Sequence, residues 1–151
     1  MMLQNLGTQW ARLVAHALKA AGVEHVVASP GARSAPVLCA LLESEAIPVE
    51  MIVDERSASI FALGRARATG RPQAVLRTSG SAGGHDLPAS MEAKQAGLPL
   101  VVITSDRPYE LTETAAPQTT HQNDLFLSQA GPTLELGPPD AHPTALRALV
   151  R

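Results

Sequence analysis

Aromatic residues are scarce in this 151-residue chain: Trp10, Tyr109, Phe61 and Phe126 are all it has. So few rings offer no platform on which bases could stack, and a formal net charge of -2 offers no footprint for a phosphate backbone, so no nucleic-acid role is expected. Cysteine occurs once, at Cys39, which excludes an internal disulfide. Set beside Leu38, Leu41 and Leu42 in an apolar helical stretch, it is expected as a small core residue. Long apolar runs are missing too. The longest, Leu98 to Ile103, contains Pro99 and falls far short of the roughly 20 residues of a membrane span, so no membrane insertion is expected. The first residues show no charged start, apolar run and small-residue cleavage site, and the expected location is cytoplasmic. His16, His25, His85, His121 and His142 have no metal-ligand spacing with one another or with Cys39, and no Gly-x-Ser-x-Gly elbow occurs. Neither a zinc site nor a serine hydrolase is expected.

What the chain does have is a globular composition, 45% hydrophobic and 17% charged, at a length that suits a single domain spanning residues 1–151. Trp10, Leu13, Val14, Ala17, Leu18 and Ala21 share one helical face, with Thr8 as a candidate cap and Gly22 beyond the end. Short apolar strands then alternate with helices. Val23 to Ala28 precedes a helix from Ser34 and Pro36 through Leu42; Val49 to Val53 precedes one from about Glu55 to Ala68; Ala74 to Thr78 precedes one from about Ala82 to Ala96; Leu100 to Thr104 follows. Nearly continuous apolar strands in such alternation predict an α/β fold, a doubly wound parallel sheet covered by helices on both faces. From Ser105 to about Thr133 the pattern gives way to a polar stretch with Pro108, Pro117 and Pro132, long enough to mark a functional loop or a linker. A fifth short strand at Thr133 to Leu136 and a last helical pattern with Ala145, Leu146, Leu149 and Val150 complete the reading. Because that last apolar face stops at Arg151, the chain is expected to be a fragment of a longer protein, the other option being a short docked terminal helix.

Four segments that directly follow strands hold the unusual residues: Ser29-Pro30-Gly31-Ala32-Arg33-Ser34, Asp54-Glu55-Arg56-Ser57, Thr78-Ser79-Gly80-Ser81-Ala82-Gly83-Gly84 and Ser105-Asp106-Arg107-Pro108. In an open parallel sheet they gather at the carboxyl edge, where ligands bind and helix N-H groups point outward. Arg33 and Arg107 on that rim suit an anionic ligand, a carboxylate or a phosphate, although either could simply pair with Asp54 or Asp106. Glu55 by position alone is explained by the preference of acidic residues for the first turn of a helix. Gly80, Gly83 and Gly84 permit close backbone approach but match neither a Walker loop nor a dinucleotide fingerprint.

Taken together, Ser29-Pro30-Gly31-Ala32-Arg33-Ser34-Ala35-Pro36, Asp54-Glu55-Arg56-Ser57-Ala58, Thr78-Ser79-Gly80-Ser81-Ala82 and Ser105-Asp106-Arg107-Pro108-Tyr109-Glu110-Leu111, followed by Gln118 and Leu125-Phe126, resemble the ordered motifs of the menaquinone-pathway synthase family of thiamin-diphosphate enzymes. The similarity runs from about residue 5 to 130. It implies the amino-terminal, pyrimidine-binding domain of a three-domain transferase that joins 2-oxoglutarate to isochorismate. By resemblance, Glu55 is the catalytic carboxylate that shares a proton with a ring nitrogen of the cofactor. Pro30, Gly31, Thr78, Ser79 and Gly80 join Glu55 in binding the cofactor, while Arg33, Arg107 and Gln118 meet the substrate. No metal ligand falls among these residues.

The chain departs from the family at Ala32, where serine is usual, at Pro117, where asparagine is usual, and at Gly83-Gly84-His85-Asp86, which is richer in glycine. Two lost side-chain hydrogen bonds to the acceptor would be worth about 1 kcal/mol each. The Gly-Asp-Gly segment that holds Mg2+ and the diphosphate in such enzymes is absent from these residues. The resemblance therefore implies that those ligands lie in a carboxyl-terminal domain, that the cofactor sits between subunits of a homodimer or higher oligomer, and that the isolated chain is inactive. Two alternatives are a short subunit of a split thiamin-diphosphate decarboxylase of 2-oxoacids and a non-catalytic carboxylate-binding module.

Overall fold

The computed structural model describes residues 5–140 together with His142 and Thr144. Helix α1 (Leu6–Ala20) leads into strand β1 (His25–Ala28), α2 (Ala35–Ser44), β2 (Val49–Met51), α3 (Glu55–Thr69), β3 (Gln73–Arg77), a 3-10 turn over Gly80–Asp86, α4 (Leu87–Ala96) and β4 (Leu100–Thr104). The four strands form one sheet in the order β2-β1-β3-β4, and every pairing is parallel. This is the expected α/β architecture. The central strands β1 and β3 are buried along their whole length, because helices cover both faces.

Alternation along the strands divides the core in two. Val26 and Ala28 of β1 and Ala74 and Leu76 of β3 face Ala11 and Ala15 of α1 and Leu38 and Leu41 of α2. Val27 and Val75 point the other way, onto Ala58 and Ala62 of α3, and Leu63 of that helix continues the contact to Ala89 and Ala93 of α4. Small alanines on α3 and α4 let these helices lie close to the sheet and to each other. The order of strands has a consequence for function: the chain leaves β1 toward α2 on one face and arrives at β3 from α3 on the other. The gap between the ends of β1 and β3 is thus the switch point at which doubly wound sheets open a crevice.

Several boundaries differ from the sequence reading. Asn5, not Thr8, caps α1: its Oδ1 accepts the Thr8 amide at 2.8 Å. Val23 does not begin β1, since its N-H is taken by the Leu18 carbonyl in the turn that stops α1, and the strand starts at His25. β2 ends at Met51, past which Val53 is 86% exposed. The fourth helix begins at Leu87 rather than Ala82, because the glycine pair Gly83-Gly84 disfavours an α-helix and Pro88 restarts one in its first turn. The segment from Thr133 to Leu136 is irregular, with Leu134 80% exposed and no buried face to justify a strand. Cys39 is exposed rather than in the core, since Leu38 and Leu41 take the sheet-facing positions and turn it outward. The helical pattern from Ala145 to Val150 lies outside the described residues.

Candidate functional site

The crevice between β1 and β3 is closed by contacts that only glycine permits. A Cβ on Gly31 would sit 2.4 Å from Thr78 Cβ and 2.6 Å from its Oγ1, so the loop after β1 lies directly on the residue that follows β3. Gly80 has φ +79, and a Cβ there would come within 2.8 Å of Gln118 Cα. Gln118, itself at φ 57, is thereby brought from the long polar segment onto the glycine turn. Ser34 Oγ ties the same loop together, accepting the Gly31 amide at 3.2 Å and lying 3.1 Å from its carbonyl.

Glu55 is the first residue of α3, half-buried just beyond the turn that follows β2. The capping work expected of an acidic residue there is done by its neighbour. Asp54 Oδ1 accepts the amides of Arg56 at 3.0 Å and Ser57 at 3.1 Å, and its Oδ2 pairs with Arg56 at 2.6 Å. The Arg56 side chain and then the Ser57 amide hold the Asp54 carboxyl well below the usual carboxylate range. Relieved of that task, the Glu55 side chain has no hydrogen-bond or ion-pair partner among the described residues; only its backbone carbonyl is engaged. A half-buried carboxylate left free at a sheet edge is what a ligand with a donor group requires.

Neither rim arginine is neutralised by a carboxylate among the described residues. Arg33 is exposed and makes no ion pair with a described residue, and Arg107 donates from Nη2 to the Pro117 carbonyl at 2.7 Å while its buried Nε has no partner. The Asp106 carboxylate accepts the Arg107 backbone amide instead, at 2.7 Å. Ser79 Oγ, Thr119 Oγ1 and Gln122 Oε1 are likewise buried without partners. Polar atoms desolvated and left unsatisfied are costly, and these three lie in the loops that follow β3 and β4.

Residues 8–126 match the family described as "Thiamine pyrophosphate enzyme, N-terminal TPP binding domain". The chain belongs to that family. It is also 50% identical over 147 residues, 97% of its length, to a 2-succinyl-5-enolpyruvyl-6-hydroxy-3-cyclohexene-1-carboxylate synthase of Sorangium cellulosum, of which it covers 24%. The enzyme of the same name from Myxococcus xanthus is 44% identical over 94% of the chain and 24% of the relative, and that from Renibacterium salmoninarum is 56% identical over 77% and 21%. The chain thus spans about a quarter of the length of these relatives.

Within this family member, Pro30, Gly31 and Arg33 of the first loop, Glu55 of the second, Thr78, Ser79 and Gly80 of the third and Arg107 of the fourth all follow parallel strands, as the sequence suggested, and Gln118 joins them by its contact with Gly80. Sequence reasoning missed a group beneath them. Arg77 and Asp86 are both wholly buried and form an ion pair, Arg77 Nε reaching Asp86 Oδ1 at 2.9 Å, with the Ser59 hydroxyl on the same oxygen. Burial raises the Asp86 carboxyl above its usual range, against the pull of Arg77 and Ser59. The signal was present: an arginine ends the apolar run Ala74-Val75-Leu76, in register to share the inward face of Val75, and an aspartate follows nine residues later. Among the described residues no group of three or more His, Cys, Asp or Glu side chains could hold a metal ion.

Proposed function

We propose that this chain is the pyrimidine-binding domain of a thiamin-diphosphate-dependent transferase that decarboxylates 2-oxoglutarate and adds the resulting carbon unit to isochorismate in menaquinone biosynthesis. The observation that carries this reading is the half-buried Glu55 carboxylate, without a side-chain partner among the described residues and with its carbonyl held by Arg77 from the end of β3, in a chain similar over almost its whole length to synthases of that name. Thiamin diphosphate, when bound, supplies the electron sink that stabilises a carbanion after decarboxylation. The residues present fit its ring half. Glu55 accepts or shares a proton with a ring nitrogen, Gly31 and Gly80 let the loops after β1 and β3 pack closely on Thr78 and Gln118, and the partnerless Ser79 hydroxyl offers a further polar contact. Pro30 and Thr78 belong to the same two loops, the second packed against Gly31. Arg33, Arg107 and Gln118 orient the carboxylates of the acceptor, Arg107 using the donors that no described residue occupies.

On this reading residues 1–151 are one domain of a three-domain chain, Mg2+ and the diphosphate are held by another domain, and the working unit is a cytoplasmic homodimer or higher oligomer. Among the described residues no helix is long and apolar enough to cross a membrane. Replacing Glu55 by glutamine in the complete polypeptide tests the proposal. A carboxylate acting in general acid-base work contributes about 10²- to 10⁴-fold. Turnover of 2-oxoglutarate with isochorismate is expected to fall by that order while the fold survives; turnover within twofold of the parent would refute the role of Glu55.

A further inference from the structure

The buried Arg77 guanidinium touches more of the site's framework than any other described side chain. Its Nη1 reaches the Val27 carbonyl at 3.2 Å, the Leu76 carbonyl at 3.1 Å and Ser29 Oγ at 3.3 Å, and Ser29 Oγ in turn donates to the Ile52 carbonyl at 2.7 Å. Its Nη2 reaches the Glu55 carbonyl at 3.3 Å and Ser59 Oγ at 3.2 Å. One planar group therefore joins the ends of β1 and β3 to the first turn of α3, and Ser29 extends the network to Ile52 just past β2. Ser59 Oγ also lies 2.6 Å from the Glu55 carbonyl, and it shares its one proton between that oxygen and Asp86. Asp86 neutralises the guanidinium and fixes its plane.

Stability alone does not explain such a group. Burying two charges in an apolar layer costs about what their attraction returns, and an apolar pair of similar volume commonly holds a fold as well or better. What the apolar pair cannot do is hydrogen-bond the ends of β1 and β3 and the Glu55 carbonyl at once. We propose that Arg77, neutralised by Asp86 and assisted by Ser59, is a positioning residue for Glu55: it clamps the backbone that aims this carboxylate across the β1–β3 crevice. The inference rests on the role given to Glu55 above. A carboxylate doing acid-base work must be held within about 0.5 Å, and a misplacement of about 1 Å can cost on the order of 10²-fold. Neither arginine nor aspartate need touch the cofactor to matter at that scale.

The test uses the complete polypeptide and the double variant Arg77→Met, Asp86→Leu, which removes both charges together and leaves none stranded. Three quantities are read: the melting temperature without cofactor, the affinity for thiamin diphosphate with Mg2+ by calorimetry, and the rate of deuterium exchange at the thiazolium C2 position by NMR as a function of pH. The double variant is expected to melt within about 5 °C of the parent, in line with the near-neutral cost of such replacements. Cofactor affinity is expected to weaken by less than about tenfold and C2 exchange to slow by about tenfold or more across the pH range. Should the double variant not fold, Arg77→Lys retains the charge opposite Asp86 but not the spread of the fork, and the same slowing of exchange is expected from it. Parental exchange rates in either folded variant would overturn the positioning role. Glu55→Gln in the parent background separates the two ideas: unchanged exchange there refutes the role of Glu55 itself, whereas slow exchange there with normal exchange in the Arg77 variants refutes only the clamp.

Discussion

The close approach of Gly31 to Thr78 lends itself to a quantitative test by Gly31→Ala. The added methyl would lie 2.4, 2.6 and 2.9 Å from Thr78 Cβ, Oγ1 and Cγ2. Ordinary contact between carbon atoms is about 3.5 to 4.0 Å, so the loop after β1 must withdraw by about 1 Å or more, or β3 must shift. β3 is central in the sheet and paired on both sides, so the loop is what moves. Overpacking of this kind costs about 1 to 3 kcal/mol, or about 3 to 9 °C in melting temperature for a chain of this size. The pattern of rescue is more telling than the loss. Thr78→Ala leaves Cβ in place and should restore little in the Gly31→Ala background, whereas Thr78→Gly removes all three clashing atoms and should restore most of it. Thermal melts of the two double variants decide the matter. Equal rescue by both, or no destabilisation by Gly31→Ala alone, would refute the packing assigned to the crevice.

Two further outcomes are expected. Asn5→Ala should destabilise by about 0.5 to 2 kcal/mol through loss of the cap on the Thr8 amide, and Thr8→Ala by less, in urea titrations of the two variants. His25 is almost fully buried, and burial, aided by Arg65, lowers its pKa below the usual value near 6.5 despite Glu50 at 3.7 Å. The unfolded chain therefore takes up this proton first as pH falls, so the stability His25 contributes is fully present above pH 6.5 and is lost as pH drops toward its folded pKa. The slope of stability against pH just below 6.5 should shrink in His25→Gln, as measured by melts from pH 7.5 to 5; an unchanged slope would refute the assignment.

The sequence by itself determined the α/β fold, the parallel order of events along the chain and the loops that carry the site, because each rests on a local signal. Apolar runs of strand length, prolines at helix starts and glycines after helix ends act on the residues beside them. β4 was legible to the residue for that reason, and the later start of the helix after β3 was also written locally, in Gly83, Gly84 and Pro88, though the strand-helix alternation was followed past them. Tertiary structure alone decided the rest. Asp54 rather than Glu55 takes up the amides at the start of α3, which frees Glu55; adjacency in sequence leaves both options open, and the geometry of the turn selects one. Gln118 meets Gly80 across 38 residues, and Arg77 reaches Val27, Glu55 and Asp86 at once, contacts that depend on how strands are ordered in the sheet rather than on any neighbour in the chain. Local interactions write the elements; which buried polar groups find each other is fixed only when those elements close around a common core.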